Sequence, residues 1–167
     1  MRILHLTPEL PYEPGGGGGA TREFFLCQRL AQLGHEVLNV SPVAAEDRAS
    51  ADALRAVGVR NWVAPRPVSP LVETARATLA DPAVLGAAVT RPVRALEMRV
   101  FWTRLRELVL RAVDDFRPDV VVVGHDMALA WVDDLPHDLP AVLTCHNLTW
   151  RWYESRARHA PAAQAAR

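Results

Sequence analysis

The sequence predicts an α/β fold, a doubly wound and mostly parallel sheet of five strands with helices on both faces. Three observations predict it. Short apolar runs alternate with stretches whose apolar residues recur every three or four positions, in the order strand, helix, strand, helix, strand through Ala64. Alternation of this kind implies parallel strands joined by right-handed helical crossovers. The run "RPDVVVVG" is apolar without a period of two, the pattern of a strand covered on both faces.

Arg2 to Thr7 ("RILHLT") reads as a buried first strand. Five consecutive glycines follow, and then a helix with Phe24, Cys27 and Ala31 on one face, Phe25 and Leu30 beside them, and Gly34 as C-cap. "HEVLNVSP" is a second strand ended by Pro42, "DRASADALRAVG" a helix stopped by Gly58, and "VRNWVA" a third strand. The prolines from Pro65 to Pro92 suggest short helical pieces and loops. A long helix is expected from Val93 to about Phe116, because Met98, Phe101, Trp102, Leu105, Val109, Ala112 and Phe116 form one stripe. After "RPDVVVVG" come a short helix ("DMALAWVDDL"), a strand ("PAVLTCH") and a last helix ("TWRWYESRARH").

At 167 residues the chain is one domain, or one lobe of something larger, and half of it is hydrophobic with balanced charge. That composition excludes intrinsic disorder and suggests no nucleic-acid partner. No apolar run approaches the ~20 residues that span a bilayer, and "ILHL" is too short for a signal peptide. A cytoplasmic chain is expected. All 19 basic residues are arginine, which removes any lysine base, Schiff base or P-loop lysine from this segment. Cys27 and Cys145 have no metal-ligand spacing around them and read as two small buried residues. No metal site is expected.

The glycine run has three readings. It can be a flexible linker, although it lies inside the first crossover. Gly15, Gly17 and Ala20 match the dinucleotide fingerprint, but "PELPYEP" separates them from the strand, and the second strand ends in Ser41-Pro42 without an acidic residue. The third reading is a loop whose bare backbone meets a ligand at the N-terminus of the following helix. Arg22, in the first turn, is unfavourable to that helix unless an anion or polar ligand lies above it. His125 follows one strand and His146 another. Ligands in open parallel sheets bind beyond the carboxyl ends of the strands, so residues 15–22, 124–126 and 146–147 are expected to converge there.

At these residues the sequence resembles the N-terminal, acceptor-side domain of GT-B glycosyltransferases of the group 1, family 4-like kind. "MRILHLTPELPYEPGGGGGATREFFLCQRLAQLGHEVLNVSP" is similar to their opening strand, glycine loop, helix and second strand. "RPDVVVVGHDMALA" and "LPAVLTCHNL" are similar to their two histidine-ended strands. The resemblance implies a Rossmann-like lobe and retaining, hexosyl-type transfer from a nucleotide-sugar, which is a substrate rather than a cofactor, without a bound metal. It implies that Gly17, Gly18 and Gly19 lie against the donor phosphates or the transferred sugar. His125 would orient that sugar through a hydroxyl, and Arg22, His146 and Asn147 would shape the side that takes a carbohydrate, lipid-linked or small-molecule acceptor. The donor-binding C-terminal domain is not in this sequence, so the lobe alone is expected to be inactive.

Alternatives stay open. A non-catalytic α/β module that binds a nucleotide or sugar phosphate has the same features, and a dehydrogenase-like domain is a third reading. The arginines of the long helix (Arg91, Arg94, Arg99, Arg104, Arg106, Arg111) suit either a solvated face or peripheral contact with the cytoplasmic side of an anionic membrane. Trp150, Trp152 and Tyr153 suit either a sugar platform or packing within the domain.

Overall fold

The computed structural model describes residues 1–13, 18–44, 47–66, 93–125, 128, 131–132, 135–145 and 155. Their elements run β1 (Arg2–Leu6), α1 (Gly18–Gln32), β2 (Glu36–Val43), a 3-10 turn (Arg48–Asp52) leading into α2 (Ala53–Ala56), β3 (Arg60–Pro65), α3 (Val93–Phe116), β4 (Val120–Gly124) and β5 (Ala141–Thr144). The five strands form one sheet in the order β3-β2-β1-β4-β5. Every pairing is parallel. The expected α/β fold with a Rossmann-like parallel sheet is what the chain adopts.

Strand periodicity sorts the side chains onto two faces. Leu4 and Leu6 of β1, Leu38 and Val40 of β2, and Val121 and Val123 of β4 face α3, which presents Leu105, Val109, Ala112 and Phe116. Ala128, Trp131 and Leu135 complete that core. So the described half of the long helix's stripe docks on the sheet. On the other face Ile3, Val37 and Val59 pack under Phe24 and Cys27 of α1 and Leu54 of α2.

Gly34 (φ 85°) and Gly58 (φ 82°) end α1 and α2 in the left-handed region. The bonds His35 N–H to Leu30 C=O and Val59 N–H to Leu54 C=O close each helix in the Schellman pattern. Arg117 (φ 49°) ends α3 in the same region, just before Pro118.

Four expectations are corrected. β2 does not stop at Pro42 but runs to Val43. Val40 C=O accepts from Thr7 N–H on the β1 side. Backbone groups alternate sides along a strand, so the missing Pro42 donor also falls on the β1 side, beyond the end of that strand. There β2 is an edge, and proline is tolerated. The segment from Arg48 to Val57 is a 3-10 turn and one α-turn rather than a full helix. Phe25 is 45 % exposed, and Glu23 takes its place against the sheet. Cys27 is buried as expected, but Cys145 is exposed, since it follows an edge strand whose Val142 and Leu143 also face out. The expected pieces between 67 and 92 and the last helix lie outside the described residues, except for Ser155.

Candidate functional site

The sheet order places the candidate site. From β1 the chain winds outward through β2 to β3, then crosses back to β4 on the other side of β1. The carboxyl ends of β1 and β4 therefore flank the topological switch point, where open parallel sheets bind ligands. Leu6 pairs with Val123, so the loop that begins at Thr7 leaves the sheet beside Gly124 and His125.

His125 stands one residue past β4 with φ 125°. That backbone region favours glycine, and a histidine held there is strained. Its carbonyl accepts from Ala128 N–H at 3.1 Å, so the strain is held by the turn that follows. Gly18 opens α1, with nothing within 4 Å of where a Cβ would be, and Gly19 is half-buried behind it. The positive φ that a ligand-cradling glycine can adopt is not used at Gly18, which is already helical. Arg22 is the fifth residue of α1 and exposed, so it lies past the first turn and the dipole argument does not reach it. Gly15, Gly17, His146 and Asn147 fall outside the described residues.

Of the hollows lined by described residues, two bear on where the site lies. One of about 180 Å³ opens at the carboxyl edge of β1 to β3, lined by Glu9, Tyr12, Ala20, Asp47 and Arg66 among others. Tyr12 Oη donates to Asp47 Oδ1 at 3.1 Å, and Arg66 donates to Pro8 C=O at 3.1 Å, which stitches the loop after β1 to the loops after β2 and β3. Glu9, Tyr12, Asp47 and Arg66 give this hollow polar donors and acceptors beside the apolar Leu10, Ala20, Pro42 and Ala44. The other hollow, about 420 Å³, lies at the amino edge around Arg2, Arg117 and Asp119. Larger as it is, it lacks the switch point, and Asp119 is already bound by the Arg2 backbone at 2.7 Å.

Beneath the crevice lies a polar row that sequence reasoning missed. His5, Asn39 and Asn61 are register partners across β1, β2 and β3, and all three are buried on the α1 face. Ala51 C=O can only accept, and it fixes the direction of the whole row. Asn61 Nδ2 donates to it at 2.8 Å, which turns Asn61 Oδ1 toward Asn39 Nδ2, also at 2.8 Å. Asn39 Oδ1 then faces His5 Nδ1 at 2.7 Å, so Nδ1 carries a proton and donates it. His5 Nε2 lies 2.7 Å from Glu23 Oε2. Burial disfavours the imidazolium, but Cys27 and the Glu23 carboxylate, one helical turn apart on α1, outweigh it and hold His5 well above the ordinary histidine range. The result is a buried ion pair in a chain of contacts that joins five elements of the fold. A signal for it existed: each of the first three strands carries polar residues in its apolar run (His5; Asn39 with Ser41, to which its Nδ2 also donates at 3.0 Å; Asn61), and a strand covered on both faces must give such residues partners.

No protein-family model matches the chain, and no curated protein matches it. Among the described residues no group of histidine, cysteine, aspartate and glutamate could hold a metal ion. Nor is any helix among them long and apolar enough to cross a membrane.

Proposed function

We propose that the chain is the acceptor-side lobe of a retaining glycosyltransferase that moves a sugar from a nucleotide-sugar to a carbohydrate, lipid-linked or small-molecule acceptor. One observation carries the reading: at the switch point of the sheet the chain holds a histidine, His125, in strained backbone directly after β4. Strain of that kind persists where the surroundings over-determine it, and it clusters at ligand sites. The loop and helix start that resemble the glycosyltransferase glycine loop leave the sheet beside it.

In this reading His125 orients the transferred sugar through a hydroxyl and forms no covalent bond to it. The first turn of α1 offers backbone N–H groups and the positive end of its dipole to the donor phosphates, with Gly18 leaving room for their approach. Arg22, His146 and Asn147 belong to the acceptor side, and the hollow at Tyr12, Asp47 and Arg66 lies on the same edge. The leaving diphosphate and the nucleotide base fall to a second domain, so the lobe alone turns over no donor.

The test is to express the protein from its complete native reading frame and assay nucleotide-sugars against broad acceptors. Transfer is expected, and His125→Ala should lower turnover on the order of 10²-fold with the melting temperature unchanged. Unchanged turnover overturns the role of His125. Nucleotide-sugar binding without transfer to any acceptor would favour the non-catalytic module instead.

A further inference from the structure

Glu23 lies in the second turn of α1, is 1 % exposed, and reaches from the helix to β1 and the end of β4. A Cβ built on Gly124 would meet Glu23 Oε2 at 2.6 Å, Glu23 Cδ at 2.8 Å and His5 Nε2 at 3.1 Å. The last residue of β4 is thus bare because a carboxylate occupies the space its side chain would need. The very next residue is His125, at φ 125°.

The carboxylate cannot swing aside. His5 Nε2 grips Oε2 at 2.7 Å, and the other nitrogen of the same ring is tied through Asn39 and Asn61 to the Ala51 carbonyl. This chain of side chains runs from α1 through β1, β2 and β3 to the 3-10 turn, so the place of Oε2 is set by most of the domain. An apolar side chain at position 23 would fill the volume but would have no such tether.

We propose that Glu23 is a positioning residue for His125: clamped by His5, its carboxylate fixes the bare backbone at Gly124 and with it the turn that presents His125 at the crevice. The functional weight of this positioning rests on the proposed role of His125, whereas the clamp itself does not.

The clamp is tested in the ligand-free chain by crossing Gly124→Ala with Glu23→Ala and Glu23→Asp. Gly124→Ala alone should lower the melting temperature by about 5 °C or more. In the Glu23→Ala background the added loss should nearly vanish, because the methyl now has room. Glu23→Asp keeps the charge but draws the carboxylate back by one methylene, so it carries the test if Glu23→Ala does not fold. Both Glu23 variants should move the His125 backbone amide and imidazole ring resonances, a signature that a remote packing role would not touch. An equal cost of Gly124→Ala in every background overturns the proposal, as do His125 resonances that coincide in wild type and both Glu23 variants. Coupling between positions 23 and 124 in a protein whose transfer is indifferent to His125→Ala would uphold the clamp and overturn only the functional reading.

Discussion

On the α3 face of the sheet, Leu105, Val109, Ala112 and Phe116 meet Leu4, Leu6, Leu38, Val40, Val121 and Val123, and among the described residues those buried there are apolar. On the α1 face a smaller apolar group is crossed by His5, Asn39, Asn61 and Glu23. Apolar burial is proportional to area and indifferent to direction, so the first face supplies stability with wide tolerance. Hydrogen bonds are directional and costly to break when buried, so the second gives up some of that stability to set atoms in place. The directional face is the one that runs beneath the crevice and ends at His125.

The sharpest way to break this contrast is to remove one member of the ion pair. His5→Leu leaves the Glu23 carboxylate buried against an alkyl group and should cost about 3–5 kcal/mol in urea denaturation at pH 7. A loss below about 1 kcal/mol would mean that water reaches the pair and that the two faces do not differ. On the other face, Leu105→Ala should cost about 3 kcal/mol through cavity formation, with the same loss at pH 6 and pH 9. A pH-dependent loss there would show the faces to be coupled.

Titration sharpens the contrast further. His5 is held above its unfolded value of about 6.5. The native state therefore binds the extra proton between the two values. Its stabilisation is full below about pH 6.5 and falls by about 1.4 kcal/mol per pH unit as pH rises toward the folded value. Denaturation midpoints from pH 6 to pH 9 should decline in wild type and in Leu105→Ala, and lose that component in His5→Leu. The smallest effect is expected at the crevice mouth, where Gly18→Val meets no neighbour and should change folding stability by under about 0.5 kcal/mol. In the complete protein the same substitution should still depress transfer, since its side chain fills the space left for the donor. Transfer at the wild-type rate would mean that the glycines act only as a spacer.

The sheet was legible because its inner strands are covered on both faces and so read as apolar runs, "VVVVG" most plainly. The helix Val93–Phe116 was legible because its stripe repeats over about five turns, and Gly34 and Gly58 marked helix ends as their positive φ requires. His125 at the end of β4 followed from the same strand reading. The clamp was not legible. His5, Glu23, Asn39, Asn61 and Gly124 are each a single residue in a different element, and their meaning comes from register and helix placement, which no local pattern contains. Arg22 was misread for a smaller reason: a helix that begins at Gly18 rather than later moves it out of the first turn.

Pro42 has a consequence for the shape of the crevice mouth. After Thr7 N–H binds Val40 C=O, the next rung of the β1–β2 ladder would run from residue 42 to Thr7 C=O, and a proline has no hydrogen to give. The two strands are a zipper with one tooth filed off, and beyond it they cannot be drawn together. The stretch from Pro8 to Tyr12 is thereby released to fold over the carboxyl edge, where Glu9, Leu10 and Tyr12 share a hollow with Pro42 itself.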